Sequence, residues 1–576
     1  MVRLAILLLM SGLTAGEIRL DPAFSNPHTG DLLQWSISGI AAADDDLTQA
    51  PRLEFTGSDG RWVRSAVRSQ DHQANDHATP EPVPVGELVP VGEPRLIVRH
   101  TVRTAGLQNW RLLDSAGSLL ANGELNVVQG AGPGGPLRIS PRNSRLLSFA
   151  DGTPFIPIGP NIAWANAPGR LERFERYFTK LSASGGTHVR IWLASWCGQV
   201  ASDIPGRYRL DQAWQMDRVL ALARSQGLRV TLVIDNHHDL ALGHQAPYGG
   251  AGADRDARLK AFFSVPLDPT WTKKIAWMLA RWGADDTIAA WELANEPDLA
   301  EPVRDRTLPW ITAAAAFLKK MDADHRLITA SWAGIEDWER VLTIPGIDLG
   351  QIHAYVLEWD GEAGPLRFAT RDGVGMMEAS AARAVACGKP FYFGEVGYQG
   401  TNERNPGNDI DGQGLLLRQQ AWAGLLAGGC GSGMAWWWDN HIDKQDLWHI
   451  YRGLAAVSAQ VDWADRNLAP LPPGGEGEIR VLSWQSPDQA LLWVQPRADT
   501  WYAHLVQGRP RQVLGQTILI RLTGMRPKAL YAVRTLGMAT GSELAKASAT
   551  ASATGTLDVP VAPRQLDSVL KIDVAK

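Results

Sequence analysis

The middle of the chain alternates short apolar segments with amphipathic helical ones. This pattern predicts eight strands, in order FIPIGPN (155–161), THVRIWL (187–193), LRVTLVID (228–235), IAAWELAN (288–295), RLITAS (326–331), IDLGQIH (347–353), PFYFGE (390–395) and GMAWWW (433–438). Strands that alternate with helices over roughly 330 residues predict a (β/α)8 TIM barrel.

The segment DQAWQMDRVLALARSQG, residues 211–227, is the clearest predicted helix between two of these strands. Its apolar residues recur at spacings of three and four. Asp211 is the predicted N-cap, and Gly227 is the predicted residue that ends the helix.

Two stretches rich in glycine and proline, residues 129–136 and 467–478, divide the chain into three parts. The first and last parts contain short apolar or alternating segments separated by turns, which predict β-sandwiches. The sequence therefore predicts a multidomain protein with an N-terminal immunoglobulin-like β-sandwich (17–135), the barrel (136–467) and a C-terminal β-sandwich (474–576). Whether the last domain binds carbohydrate or braces the barrel stays open.

The N-terminus, MVRLAILLLMSGLTAG, has one basic residue, a short apolar run and then small residues. This is typical of a secretory signal peptide, which we assign to residues 1–16. We therefore expect a secreted protein, extracellular or periplasmic. No later apolar run reaches the ~18 residues that a membrane span requires.

The formal net charge of −5 gives no reason to expect nucleic acid as a partner, since its binders carry basic patches. The chain has three cysteines, which we expect to be buried thiols rather than a disulfide pair. Tryptophan is abundant, with 24 residues against 12 Phe and 9 Tyr. Its broad apolar face suits stacking on sugar rings, but large cores use it as well. We expect a monomer, although the sequence leaves the oligomeric state open.

The active site of a TIM barrel lies at the C-terminal ends of its strands. Two of the predicted strands end in carboxylates on opposite sides of the barrel, Glu296 on the fourth and Glu395 on the seventh. Because proline disfavours the α region for the residue before it, Pro297 should hold Glu296 in an extended or turn conformation.

These strand ends resemble glycoside hydrolase clan A, and most closely family 5, which includes cellulases and β-mannanases. WELANEP (291–297) matches the Asn-Glu-Pro motif, and FGEVG resembles the nucleophile motif. HVRIW, DNHHDL, HAY and GMAWW resemble the motifs of strands two, three, six and eight. The six matches follow the family's chain order and cover the whole middle region, and secreted bacterial members of this clan carry similar flanking sandwiches.

The resemblance implies a retaining glycoside hydrolase that cleaves β-linked polysaccharide or oligosaccharide of the β-mannan or β-glucan type. It implies Glu296 as the acid/base, with a raised pKa, and Glu395 as the nucleophile. The resemblance also implies that Arg190 and Tyr355 keep Glu395 ionised.

Other residues take substrate-binding roles from the same resemblance. His353 would lie near the acid/base, and Asn295 would bind the sugar 2-hydroxyl. His237 is the better match for the strand-three histidine, with His238 as the alternative. Gly394 and Gly397 flank Glu395 and would give a sugar close access to the backbone.

Three consecutive tryptophans end the eighth predicted strand. Since successive strand residues point to opposite faces, Trp436 and Trp438 should share one face and Trp437 should take the other. The glycine spacing favours Trp437 as the sugar platform. Because no His-x-His or His-Glu-x-x-His motif occurs, we expect no catalytic metal and no cofactor.

Two alternatives stay open at this stage. The barrel could act as an exo-glycosidase or transglycosidase on another glycan, such as a bacterial exopolysaccharide. The chain could instead be a non-catalytic carbohydrate-binding protein, although the intact pair Glu296 and Glu395 argues against that.

Overall fold

The computed structural model describes residues 18–21, 26–38, 46–74, 88–132, 134–166, 169–301, 304–333, 337–356, 371–400, 405–472, 474, 477–511, 517–561 and 568–575. The signal peptide predicted for residues 1–16 lies outside these ranges.

The N-terminal part consists of antiparallel strands. They are β1 (Ile18–Asp21), β2 (Leu32–Ile37), β3 (Arg52–Gly57), β4 (Gly60–Ser65), β5 (Val67–Ala74), β6 (Leu88–Thr101), β7 (Gly106–Leu113) and β8 (Leu119–Val127). They form two four-stranded sheets, ordered β1-β2-β6-β5 and β4-β3-β7-β8. Trp35 and Val98 from the first sheet pack with Phe55 and Trp110 from the second, so the two sheets share one apolar cluster.

The central part begins with three short antiparallel strands and continues with parallel strands and helices. In chain order its elements are β9 (Leu137–Ile139), β10 (Leu147–Phe149), β11 (Pro154–Phe155), α1 (Arg170–Ala183), β12 (His188–Trp192), α2 (Leu210–Ser225), β13 (Arg229–Val233), α3 (His237–Leu242), α4 (Arg255–Phe262), α5 (Pro269–Trp282), β14 (Ile288–Glu292), α6 (Pro297–Ala300), α7 (Arg304–Met321), β15 (Leu327–Thr329), α8 (Trp338–Thr343), β16 (Gly350–Val356), α9 (Gly373–Ala386), β17 (Phe391–Tyr398), α10 (Pro406–Ile410), α11 (Leu415–Leu426) and α12 (Ile450–Ser458).

Six of the eight predicted barrel strands are regular. Strands β12 to β15 form one parallel sheet in chain order, and β16 pairs with β17 in a second parallel sheet. The Asp348 N–H donates to the Ile328 carbonyl at 2.9 Å and links the two sheets. The arrangement is of the TIM-barrel type, as the sequence predicted.

The predictions of regular strands at 155–161 and 433–438 are wrong. Apart from Phe155, which ends β11, these two segments make only isolated bridges, Asn161 with Arg190 and Val396 with Ala435. Pro157 and Pro160 provide the physical reason in the first segment, because each lacks the N–H that a ladder requires. The Asn161 N–H still donates to the Ala435 carbonyl at 2.9 Å, so the first and eighth segments are neighbours.

The helix predicted at 211–227 is present as α2. Gly227 adopts φ +72° just past its end, which confirms the predicted stop. The N-cap prediction is wrong: Arg209 is the N-cap residue, and Asp211 lies inside the first turn, where it accepts a hydrogen bond from Arg209 at 2.7 Å.

The C-terminal part again consists of strands. They are β18 (Ala469–Pro470), β19 (Ile479–Gln485), β20 (Gln489–Pro496), β21 (Ile518–Leu522), β22 (Leu530–Gly537), β23 (Glu543–Thr550), β24 (Leu557–Val561) and β25 (Ser568–Val574). Six form an antiparallel sheet, β18-β19-β20-β25-β22-β23, and β21 pairs with β24. Trp484 and Trp501 are fully buried in the same cluster as the barrel, and Trp484 Nε1 donates to the Leu425 carbonyl of α11 at 2.7 Å.

The predicted buried thiols are found at two of the three cysteines. Cys197 and Cys430 are buried, Cys387 is partly exposed, and none is in a disulfide. Within the described ranges, no helix combines the length and apolar composition needed to cross a lipid bilayer.

Candidate active site

The two candidate carboxyls meet at the C-terminal end of the parallel strands. Glu296 follows β14 and Glu395 lies in β17, and both side chains are buried. One oxygen of each, together with a ring nitrogen of His353, lies within 4.8 Å of the other two. Two carboxyls predicted from distant parts of the sequence therefore face one another.

Arg190 is fully buried between these groups. Its Nη1 donates to Glu395 Oε1 at 2.7 Å, and its Nη2 donates to Asn295 Oδ1 at 2.6 Å. Asn161 Oδ1 accepts from Nη1 at 3.1 Å. These partners come from three separate parts of the chain, the segment before α1, the segment after β14 and β17, so the guanidinium fixes several side chains at once.

Glu395 has one hydrogen-bond donor on each oxygen. The Tyr355 hydroxyl donates to Oε2 at 2.5 Å, opposite the Arg190 contact on Oε1. Burial nevertheless raises the pKa of Glu395, and it outweighs the lowering by His353, Arg190 and Tyr355. Arg190 and Tyr355 thus act in the predicted direction, toward the ionised carboxylate, while burial and the neighbouring Glu296 act against it.

Glu296 adopts a left-handed conformation, with φ +44° and ψ +53°. Of the two predicted conformations, extended or turn, the structure has the turn, since the Leu299 N–H donates to the Glu296 carbonyl at 3.0 Å. A non-glycine residue in this region costs roughly 1–3 kcal/mol, which the surroundings must offset. The Glu296 N–H donates to Ser331 Oγ at 2.9 Å, and Pro297 starts α6 immediately after it. These contacts hold the carboxyl over the strand ends.

The surroundings of Glu296 favour its protonated form. Burial raises its pKa to about 8, and the negative charge of Asp298 adds to the effect. His353 Nδ1 lies 2.6 Å from Glu296 Oε1. Burial lowers the pKa of His353, which favours the neutral imidazole.

Of the two strand-three histidines, His237 lies nearer the carboxyls. Its Nδ1 is 3.0 Å from Asn295 Nδ2 and 3.9 Å from Glu296 Oε2. Burial lowers the pKa of His237 to about 3, which leaves its ring nitrogen free to accept from the Asn295 amide. His238 is turned toward Trp196, with ring centroids 6.0 Å apart.

A cavity of about 240 Å³ opens beside Glu296 and His353 and is lined by both Trp436 and Trp437. Trp436 and Trp438 lie together as predicted, with ring centroids 5.3 Å apart, whereas the Trp437 ring packs against Gly397. Regular strand geometry ends before them, and a π-helical turn begins at Trp438. Trp437 Nε1 donates to the Tyr398 carbonyl at 2.7 Å, which fixes the ring at the cavity wall.

The two glycines beside Glu395 make room for protein side chains. A Cβ at Gly394 would lie 2.1 Å from Gln351 Oε1, and one at Gly397 would lie 3.1 Å from Trp437 Cδ1. Their expected role in sugar access stays a prediction.

Sequence reasoning missed two buried residues behind the site, Glu292 and Gln351. Glu292 Oε1 and Oε2 accept from Arg190 Nη2 at 2.6 Å and Nε at 2.7 Å, and Gln351 Nε2 donates to Oε2 at 2.7 Å. A signal was present, because a glutamate inside an otherwise apolar parallel strand requires a charged partner.

Glu296, His353 and Glu395 also have the spacing of a metal-ligand group. Their contacts fit a cation poorly. Arg190 already places a positive charge 2.7 Å from Glu395, and Tyr355 and His353 contact the oxygens that an ion would need. The donor set fits proton transfer and nucleophilic attack better than metal binding.

No family model matches the chain. The chain is 27% identical over 245 residues to mannan endo-1,4-β-mannosidase 7 of Arabidopsis thaliana, covering 36% of this chain and 56% of that protein. It is 26% identical over 246 residues to mannan endo-1,4-β-mannosidase 1 of rice (Oryza sativa subsp. japonica), covering 36% and 57%. The match thus spans little more than half the length of these relatives.

Solved structures agree on the fold. A crystal structure of a family 5 glycoside hydrolase from Bacteroides vulgatus superposes with a TM-score of 0.53 at 13% identity, covering 76% of this chain and 94% of that one. The chain is similar to the family 5 glycoside hydrolases of clan A. A second Bacteroides vulgatus structure, provisionally assigned as a glycoside hydrolase, covers 96% of this family 5-like chain and 100% of its own, with a TM-score of 0.61 at 14% identity. That likeness extends over the flanking sheets as well.

Proposed function

We propose that the chain is a retaining glycoside hydrolase that cleaves β-linked polysaccharide or oligosaccharide of the β-mannan or β-glucan type. The observation that carries this proposal is the approach of Glu296 and Glu395 to within 4.8 Å. Retaining enzymes hold their carboxyls ~5–5.5 Å apart, whereas inverting enzymes need ~6.5–9.5 Å. The mannanase names of the relatives make β-mannan the first substrate to test.

In the first step, ionised Glu395 attacks the anomeric carbon of the sugar. The bond from that carbon to the leaving oxygen breaks, and protonated Glu296 gives its proton to this oxygen. The raised pKa of Glu296, about 8, supports its role as the acid at neutral pH. Arg190 and Tyr355 bind the two Glu395 oxygens and orient the carboxylate for attack.

In the second step, Glu296 is ionised and takes a proton from water. The water oxygen then attacks the anomeric carbon and releases Glu395 as a carboxylate, so two inversions give net retention. Neutral His353, 2.6 Å from Glu296, supports the transfer of the proton in both directions.

Substrate binding is proposed for the residues around this pair. Asn295 Oδ1 is occupied by Arg190, so its Nδ2 hydrogens are directed to His237 and to the sugar 2-hydroxyl. Trp437 would stack on the sugar bound at the cleavage point, and Trp436, which lines the same cavity, would add a second apolar wall.

The flanking sheets are proposed to be β-sandwich domains, at 17–135 and 474–576, that brace a barrel at 136–467. Buried contacts with the barrel, such as Trp484 with Leu425, support bracing over carbohydrate binding. In the N-terminal sheets, the Trp62 ring is covered by Arg64 and Arg103, each 5.4 Å from its centroid, which leaves it poorly placed to stack on a sugar. We also propose secretion through the leader at 1–16, with no nucleic acid partner and a monomeric state.

The test is release of reducing sugar by the purified protein on β-mannan, mixed-linkage glucan, xylan and galactan. On each polymer, the activity of the wild type is compared with that of Glu395→Gln and with that of Glu378→Gln as a matched control. Glu378 is also a buried carboxylate, but it binds Arg480 at 2.8 Å far from the cleft. We expect turnover on β-mannan that is lost in Glu395→Gln and kept in Glu378→Gln.

Proton NMR of the first product formed gives the stereochemistry, and we expect the β-anomer. An α-anomer would contradict the retaining mechanism, and activity in Glu395→Gln would contradict the assigned nucleophile. Products of a single size released from chain ends would favour the exo-acting alternative. Binding without turnover on any glycan would favour the carbohydrate-binding alternative.

A further inference from the structure

Glu292 is a fully buried carboxylate that the proposed reaction does not use. It ends β14, four residues before Glu296, with no exposed surface. Both of its oxygens accept hydrogen bonds from Arg190, and Gln351 donates to one of them. Such a charge is costly to bury unless it has a partner, and here the partner is the same guanidinium that binds Glu395.

We propose that Glu292 is a positioning residue, and that it acts as the permanent counter-ion of Arg190 throughout the reaction. The inference rests on the proposed function, because it concerns the step in which Glu395 attacks the sugar. Glu292 does not touch the substrate. It acts through Arg190 alone.

The charge balance explains why a second carboxylate is needed. When Glu395 becomes bonded to the sugar, its negative charge disappears. Arg190 would then remain buried without a charged partner if Glu395 were its only one, and that state is strongly disfavoured. With Glu292 in place, Arg190 stays in a neutral pair before and after attack, so formation of the glycosyl intermediate leaves no isolated cation.

Glu292 also affects how basic Glu395 is. The charge of Arg190 is shared between two carboxylates, so its pull on Glu395 is weaker than in an isolated pair. This agrees with the raised pKa of Glu395 despite the direct contact with Arg190. A carboxylate of higher pKa is the stronger nucleophile, provided it remains ionised.

The geometry of the guanidinium depends on the same residue. Glu292 holds Nε and Nη2, which aims Nη1 at Glu395 and leaves Nη2 to fix the Asn295 amide. A glutamine at 292 could accept only one of these bonds, and its amide hydrogens would face donors on Arg190 or Gln351. The guanidinium would therefore have to turn.

Neighbouring residues hold Gln351 in place beside Glu292. Gln351 Nε2 also lies 3.2 Å from Thr329 Oγ1, and Gly394 leaves the space that Gln351 fills. The other ionisable groups that face Glu292 are His353 on β16, Tyr392 on β17, and Glu296. Those that face Glu395, besides Arg190, are Tyr355, His353 and Glu296. Each is neutral when attack begins, so Glu292 supplies the second negative charge.

The test compares Glu292→Gln and Glu292→Asp with wild type on a 2,4-dinitrophenyl glycoside of the sugar that the wild type releases. This leaving group needs no proton, so the burst of dinitrophenolate measures the attack by Glu395. For Glu292→Gln we expect the burst rate constant to fall by about 10²-fold, as for a misplaced reacting group. We also expect the acid limb of its kcat/KM profile to move to lower pH, because the pKa of Glu395 falls.

A role limited to stability would give a different result. It would lower the burst amplitude, which counts folded enzyme, and leave the rate constant and acid limb where they are. Glu292→Asp keeps the charge, so it should restore the position of the acid limb. Glu378→Gln, the same change in a buried pair with Arg480, should leave both readouts unchanged. A Glu292→Gln rate constant within about 3-fold of wild type would overturn the proposal, since that is only ~0.65 kcal/mol.

A crystal structure of Glu292→Gln separates this proposal from the proposed function. We expect the guanidinium to turn so that Nη2 loses its bond to Asn295, while Nη1 stays on Glu395 Oε1 and shifts that carboxylate. An unmoved guanidinium would overturn the positioning role even if the wild type cleaved no glycan. Absence of turnover by the wild type would count against the proposed function alone.

Discussion

The Tyr355 hydroxyl donates a hydrogen bond to Glu395 Oε2 at 2.5 Å, from the strand directly beside it. Since this bond favours the ionised carboxylate, Tyr355→Phe should raise the pKa of Glu395 and move the acid limb of kcat/KM to higher pH. A hydrogen bond to a charged group contributes ~1.5–3 kcal/mol, so kcat/KM near neutral pH should fall by at least ~10-fold.

Initial rates across the acid range check this, with Tyr451→Phe as the matched control. The Tyr451 hydroxyl is buried in α12 and has no hydrogen-bond partner among the described residues. Loss of that hydroxyl should leave the pH profile where it is. An equal shift in both variants would show that the change at Tyr355 acts through packing instead of the hydrogen bond.

The alkaline limb should report the protonation of Glu296. Its pKa is raised to about 8, so activity should fall as pH rises through about 8, where the acid loses its proton. Asp298 adds negative charge nearby, and Asp298→Asn should therefore lower the pKa of Glu296 and move the alkaline limb to lower pH. The kcat/KM profile of the variant measures this shift. An unmoved alkaline limb would assign it to a group other than Glu296.

The sequence predicted which motif residues would lie close together, because these residues sit at strand ends. Arg190, Asn295, Glu296, His353, Tyr355 and Glu395 each lie within hydrogen-bond reach of another member of the set. Strand ends in a parallel barrel meet at one edge, so chain order alone predicts their proximity.

The buried residues behind the two catalytic candidates were not predictable in the same way. Glu292 and Gln351 lie inside strands, where apolar residues are expected, and their partners come from other strands. The pKa of Glu395 depends on how completely the assembled barrel buries it. The conformations of Glu296 and Trp437 depend on local backbone geometry that a repeating pattern does not encode.

Trp437 should contribute binding more than chemistry. It lines the cavity and its Nε1 donates to the Tyr398 carbonyl, so Trp437→Phe keeps an aromatic face and loses only the anchor. We expect Trp437→Ala to raise KM by about 10-fold or more, from a stacking loss of roughly 1–3 kcal/mol, and Trp437→Phe to raise it less. Steady-state kinetics on mannooligosaccharides measure both. Trp214→Ala, on the outer face of α2, is the control, and an equal rise in KM there would contradict a specific platform.

A buried ion cluster joins the N-terminal sheets to the barrel. Asp324 is almost fully buried and accepts from Arg64 Nη2 at 2.7 Å and from Arg103 Nη1 at 2.6 Å. Burial alone would raise the pKa of Asp324, but Arg326, Arg64 and Arg103 together hold it well below its ordinary value. The buried negative charge of Asp324 in the barrel is thus paired with two arginines of the N-terminal part, and these ion pairs link the two parts.

Asp324→Asn should therefore lower the free energy of unfolding by about 3–5 kcal/mol, because it removes the counter-charge of the buried Arg64 and one of the two carboxylates that bind Arg103. A carboxylate whose pKa is lower in the folded protein than in the unfolded chain stabilises the folded protein at pH values above its pKa in the unfolded chain. This stabilisation is lost as the pH falls toward its pKa in the folded protein. The difference between wild type and variant should then be full at neutral pH and shrink in acid. Urea unfolding at several pH values measures it. Asp558→Asn, at an exposed pair with Arg521, is the control and should change little. A difference that does not vary with pH would mean that the charge of Asp324 is not what holds the two parts together.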